Sequence, residues 1–192
     1  MVLGIAAFGT IVVAATALAL WPNNSAVLTG GKEAATARID GTWRATHVVV
    51  KTSLVGPGFD EVGDSVSADW IIQHSCELGP CDVSVERVQG DGRVIEQTMK
   101  YVDGGYSYEL PERLAPDDAI CVLNGVTYPS ELIEETRNGH LEVAKYEIRD
   151  GVPVATELRG WRTLTGVHTG AAADAGCLDW VIEDEGVLVR ID

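Results

Sequence analysis

The chain is 192 residues long and carries 14 Lys and Arg against 29 Asp and Glu, a net charge of −15. Such an excess of carboxylates repels phosphate backbones and anionic lipid faces, so neither nucleic acid nor an acidic membrane surface is an expected partner. Every charged side chain falls at or after Lys32, so the acidity belongs to a stretch of one domain's length, enough for a single sizeable core.

Residues 1–21, MVLGIAAFGTIVVAATALALW, contain no charge. As a helix they would span roughly 30 Å, about one hydrocarbon core, and backbone groups in lipid have to bond internally. Trp21 followed by Pro22 suits an interfacial ring and a helix stop. The run is longer than the apolar core of a cleavable signal and has no basic flank. It is therefore expected to be a transmembrane anchor or uncleaved signal, with Ala17-Leu18-Ala19 as a small-residue cleavage motif inside it. No Lys or Arg precedes Lys32 to orient the helix, and a start further upstream would supply them. Gly4, Ala7, Thr10, Ala14 and Ala17 form a small-residue stripe that could pack against another helix.

Residues 22–39 show no sustained apolar period and read as a flexible tether, with Asn23-Asn24-Ser25 fitting a glycosylation sequon. Residues 40–192 read as one extracytoplasmic β-barrel domain. Asp91-Gly92, Asp103-Gly104, Asn124-Gly125, Asn138-Gly139 and Asp150-Gly151 are hairpin signals between short runs rich in Val, Thr and Tyr. Trp43, Ala45, His47 and Val49 share one face, and Trp70, Ile72, His74 and Cys76 share another. Val83 and Val85 follow, then Ile95, Met99 and Tyr101, then Tyr106, Tyr108 and Leu110. The run 141–148 changes face, which predicts a β-bulge, and Val154 to Leu164 is a long strand. Leu178, Trp180 and Ile182 are expected to turn at Glu183–Gly186 into Val187, Val189 and Ile191. The pattern predicts an all-β, antiparallel up-and-down barrel or meander of about 8–10 strands, preceded by one hydrophobic helix. Residues 52–68 form a long loop between the first two strands.

Four cysteines follow a membrane-targeting segment, which suggests two disulfides in an oxidising compartment. Of three pairings, Cys76–Cys81 is favoured by the tight turn at Gly79-Pro80, leaving Cys121–Cys177 to close a long loop worth about 4 kcal/mol in the chain-entropy model.

Gly41-Thr42-Trp43 at the start of the first strand resembles the G-x-W motif of lipocalins and other calycin-type barrels, and the long first loop resembles their lid. The resemblance implies a ligand-holding barrel in which an Arg from a late strand stacks on the Trp; Arg190 is the first candidate here and Arg159 the second. The Trp, C-x4-C and late-Cys arrangement also resembles membrane-anchored extracytoplasmic β-domains of unknown function in actinobacteria. That likeness implies location and fold and carries no activity.

Catalytic chemistry is poorly represented. Gly63-Asp64-Ser65 is similar to the GDS motif of SGNH esterases, but the late D-x-x-H is missing and so is an α/β pattern. His74, Cys76 and Cys81 lack a second ligand pair for structural zinc. Carboxylate pairs such as Asp117-Asp118 point to opposite faces of a strand. No catalytic set, no metal site and no cofactor is expected. His47 and His74 are expected to point inward and, with Trp43, Trp70, Tyr106 and Tyr108, to line a ligand site. The expected function is a membrane-tethered extracytoplasmic binding module for a small apolar or amphipathic ligand. The alternative is a non-catalytic structural or interaction subunit of a membrane-protein complex.

Overall fold

The computed structural model describes residues 31–53, 60–74, 76, 80–88, 92–112 and 119–192. The expected anchor at 1–21 lies outside them. No helix among the described residues is long and apolar enough to cross a membrane.

Strands β1 (Gly41–Thr52), β2 (Ser65–His74), β3 (Val83–Val88), β4 (Val94–Val102) and β5 (Gly105–Glu112) run as a meander. A small hairpin, β6 (Ala119–Leu123) and β7 (Val126–Pro129), intervenes before β8 (Ile133–Arg149), β9 (Val152–His168) and β10 (Trp180–Arg190). The barrel closes in the order β1-β2-β3-β4-β5-β8-β9-β10 and back to β1, with every neighbouring pair antiparallel. An eight-stranded up-and-down barrel has no free edge, and its interior is wide enough for side chains or one small ligand.

Strand alternation selects the inward face. In β1 the buried positions are Trp43, Ala45, His47 and Val49, in β3 Val83, Val85 and Arg87, and in β10 Ile182, Asp184, Gly186 and Leu188. Asp103-Gly104, Asn124-Gly125 and Asp150-Gly151 have positive φ at both residues, the type I′ hairpin geometry. The predicted bulge is present, with the β8–β9 register shifting between Val143 and Tyr146.

Two expected turns are strand interior. Asn138-Gly139 lies in the middle of β8, where the Tyr108 ring occupies the space a Cβ of Gly139 would need. The expected turn at Glu183–Gly186 is the middle of a continuous β10. Asp184 is buried there, Gly186 lies under the His47 ring, and Val187 and Val189 face solvent. In both places glycine serves close aromatic packing across the barrel wall, and the chain does not reverse.

Residues 32–39, expected to be part of the tether, instead plug one end of the barrel. Helix α1 (Lys32–Ala35) is a single turn, and Ala34, Ala37 and Ile39 are buried beneath the strands. The Arg38 N–H donates to the Pro153 carbonyl at 2.9 Å, and the Ala155 N–H donates back to the Arg38 carbonyl at 2.8 Å. The Tyr101 hydroxyl donates to the Ala35 carbonyl at 3.0 Å. Trp43 sits above this plug, fully buried, with its indole N–H on the Ile39 carbonyl at 2.9 Å. The Arg190 guanidinium stacks 4.8 Å from the Trp43 ring and donates through Nε to the Ala155 carbonyl at 2.8 Å. Gly41 has φ +136°, and Arg190 and Asp192 fill the place where a Cβ would go. These contacts account for both fixed letters of the G-x-W motif and identify Arg190 as the stacking arginine.

At the opposite end the connections are long. They comprise the β1–β2 loop, the β6–β7 segment with its 3₁₀ turn Ser130–Leu132, and α2 (Gly170–Ala175) leading into β10. The Cys121–Cys177 disulfide ties the β6–β7 hairpin to the α2–β10 connection, while Cys76–Cys81 closes the β2–β3 turn at the plugged end. Both pairings are the expected ones.

Candidate ligand site at the open end of the barrel

Below mid-height the barrel is filled by Trp43, Ile72, Val83, Val85, Met99, Tyr106, Leu141, Leu158 and Leu188, a continuous apolar core. Above it the inward positions turn polar. A cavity of about 340 Å³ opens there, walled by Val66, Ala68, Trp70 and Leu164 and by His47, Arg87, Arg137 and Arg162, with Asp60 also lining it.

Each polar group is placed by strand parity. Arg87 follows Val83 and Val85 on the inner face of β3, its guanidinium 5.4 Å from the Trp70 ring centre, and its Nη1 donates to the Gln97 Oε1 at 3.4 Å. Arg162 on β9 donates through Nε to Asp184 of β10 at 2.5 Å, and its Nη2 lies against the same oxygen. Asp184 is only 1 % exposed, so the pair is removed from water, and losing one partner would strand a charge.

His47 is 4 % exposed, and its ring lies over Gly186 and 6.0 Å from Trp70. Neither ring nitrogen has a hydrogen-bond partner among the described residues. Burial, then the positive charges of Arg162, Arg87 and Arg137, push its pKa down to about 3, so the imidazole is neutral at physiological pH. Burial raises the Tyr108 hydroxyl above its ordinary value while the same three arginines oppose the shift.

The six expected site residues therefore separate. His47 and Trp70 line the cavity, and Tyr108 stands edge-on to Trp70 with its ring centre 6.1 Å away. Trp43 and Tyr106 belong to the filled half; Tyr106 packs edge-on against Tyr101, and burial pushes its pKa up to about 12. His74 does not face the cavity. It sits at the plugged end beside the Cys76–Cys81 disulfide, with Nδ1 2.8 Å from the Cys76 carbonyl oxygen. Arg87, Arg137, Arg162 and Asp184 are the site residues that pattern reading passes over. Of these Arg87 carries the clearest signal, as the third inward letter after Val83 and Val85.

Two other constellations carry no chemistry of their own. Cys121, His168 and Cys177 have their ligand atoms within 4.8 Å of one another, but the two sulfurs are bonded to each other and offer no thiolate. On the outer wall Ser107 Oγ lies 2.8 Å from His140 Nδ1, and His140 Nε2 lies 3.3 Å from Glu142. Ser107 is paired in register on both sides, to Lys100 and to His140, so its strand is committed to the ladder where an oxyanion hole would be needed.

Compared with known proteins, the sequence matches no family model, and no curated protein is significantly similar to it.

Proposed function

We propose that this chain is a calycin-type binding module, exported and held outside the membrane by residues 1–21, that takes a small apolar or amphipathic ligand into the open end of its barrel. The observation that carries this reading is the division of the interior: one half filled by side chains, the other holding a cavity of about 340 Å³ with apolar walls and a few convergent polar groups. That combination is how small-molecule sites are commonly built. Two disulfides support an oxidising compartment for the domain. The test is fluorescence titration of the full chain, kept soluble in an amphipathic polymer, with the neutral probe N-phenyl-1-naphthylamine and the polymer alone as blank. A saturable gain that Ala68→Phe abolishes is expected, since the added ring projects into the cavity. No gain over the blank, or a gain that Ala68→Phe leaves intact, removes the reading.

A second reading, a non-catalytic subunit of a membrane-protein complex, draws on the outer wall. The β4–β5 pairing runs only from Lys100↔Ser107 to Val102↔Gly105, and a crevice of about 420 Å³ lies beside it under the half-exposed Trp161. Mild affinity purification from native membranes tests it: a stoichiometric companion lost on Trp161→Ala supports it, and a companion-free barrel sinks it.

A further inference from the structure

We propose that the open edge of β4, from Val94 to Thr98, takes up an extended, basic strand of a partner protein. This rests on the second reading, a subunit of a complex, and names the kind of partner that the outer wall fits.

The backbone is the first argument. β4 and β5 leave their Asp103-Gly104 turn paired, but the ladder stops at Lys100↔Ser107, although β4 reaches back to Val94 and β5 onward to Glu112. In an antiparallel strand the N–H and C=O of one residue point to the same side, and successive residues point to opposite sides. Val102 and Lys100 use theirs on β5, while Met99, Gln97 and Ile95 turn theirs to β3. Thr98, Glu96 and Val94 therefore aim theirs past Lys100 on the β5 side, where no ladder partner stands among the described residues. Every other seam of the barrel is paired over six residues or more. Unpaired strand edges are templates for another strand. Across the seam the matching positions are Glu109 and Pro111, and a proline has no N–H to give, so β4 is the side able to carry a continuous ladder.

The second argument is what lies along that edge. The crevice of about 420 Å³ reaches in to the buried Tyr108 and is flanked outside by Trp161, so an apolar side chain of the added strand has rings to cover. On the outer face Glu86 and Glu96 stand directly opposite each other, and Glu109 lines the crevice. Like charges at opposed positions destabilise a sheet, and none of these three carboxylates has an ion-pair partner among the described residues. Lys100 also lines the crevice but stands where the ladder is already closed. A strand with alternating apolar and cationic side chains answers both faces at once. A second copy of this chain, itself at −15, would double the same charges.

The experiment uses the polymer-held full chain and fluorescein-labelled heptapeptides, read by anisotropy at about 0.15 M salt, where long-range attraction is screened. Thr-Lys-Val-Lys-Val-Lys-Thr should bind saturably and at least tenfold more tightly than its counterpart with Glu for Lys. N-methylation of one alternate set of its amides should weaken it tenfold or more at unchanged charge. Residue-resolved hydrogen exchange is the second measurement. In the free chain the Glu96 and Thr98 amides should exchange fast beside protected Gln97 and Met99, and the lysine peptide should slow both at least tenfold. Glu96→Lys/Glu109→Lys, at exposed positions, should turn the preference toward the acidic peptide. Methylation without effect reduces the binding to charge attraction and overturns the added strand. So do Glu96 and Thr98 amides already protected in the free chain, or self-association that protects them without peptide. A native companion that the double variant retains overturns this docking mode while the subunit reading stands; a companion-free barrel removes that reading, and this inference with it.

Discussion

The two ends of this barrel are built from the same strands on opposite principles. At the plugged end the turns at Asp103-Gly104 and Asp150-Gly151 are tight, α1 and Ile39 close the floor, and Trp43 is locked by a hydrogen bond and the Arg190 stack. At the open end the connections are long, and the inward positions hold three arginines, a histidine and an aspartate around unfilled space. Close packing stabilises by removing apolar area from water, whereas a polar interior costs desolvation that only matched partners offset. The lesson is that one end holds the fold while the other carries a desolvation cost, which the proposed ligand-binding role would explain.

The largest effects should come from breaking each end at its centre. Trp43→Ala removes a fully buried indole, its bond to Ile39 and the stack with Arg190, and should cost about 3–5 kcal/mol of unfolding free energy. Asp184→Ala should cost about as much for a different reason, by leaving Arg162 charged in a dry site. The distinction lies in the rescue. Arg162→Met/Asp184→Leu should recover most of the loss, because an apolar pair needs no solvation, while no neighbour change restores Trp43→Ala. Urea unfolding read by tryptophan fluorescence measures all three, and a double variant as unstable as Asp184→Ala would count against a buried-charge penalty.

The next effect, on the order of 2 kcal/mol, is the acid response of the open end. The folded pKa of His47 is about 3, below its value of about 6.5 in the unfolded chain. Between those values the unfolded chain takes up a proton that the folded barrel refuses, so this contribution is full above pH 6.5 and is lost as pH falls toward 3. Below about pH 4.5 carboxylates join in, among them Glu157, which its hydrogen bond to Lys145 holds under the ordinary range. In the interval from pH 6.5 to 4.5 His47 therefore acts before these carboxylates do. Wild type should lose more stability across it than His47→Gln does; equal slopes for the two would mean the imidazole is hydrated rather than dry.

The plugged end was the more legible from sequence, and for a physical reason. Apolar alternation, Asp-Gly turns, G-x-W and the short C-x4-C spacing are local signals, and Trp43, Arg190 and the Cys76–Cys81 disulfide stand where those signals put them. The floor itself was not legible, because eight residues of which only Ala34, Ala37 and Ile39 are buried make no period that local pattern can register. The open end hides its logic more thoroughly. Glu183-Asp184-Glu185-Gly186 has the composition of a turn, and only the facing Arg162 and His47 make Asp184 and Gly186 into interior residues of a long strand. Likewise His74 has the parity of an inward residue but lies where β2 leaves the barrel, bonded to its own disulfide turn. Polar interiors are specified by partners far away in sequence, and a window along one strand does not contain them.

The smallest expected effect tests whether the two ends are independent. Arg190→Lys keeps the charge near Asp192 but removes the planar face over Trp43 and the Nε donor to the Ala155 carbonyl. A loss of about 1 kcal/mol is expected, seen as a lower urea midpoint at unchanged slope. The hydrogen-bond and stacking partners of Arg190, namely Trp43, Ala155 and Asp192, are not among the cavity-lining residues, so naphthylamine affinity should remain within about twofold of wild type, as for non-contacting sites in general. An affinity change as large as that of a cavity-lining variant would show that the Trp43 floor sets the shape of the arginine-lined space above it. The packed end and the cavity end would then be one mechanical unit, and the proposed division of labour between them would have to be given up.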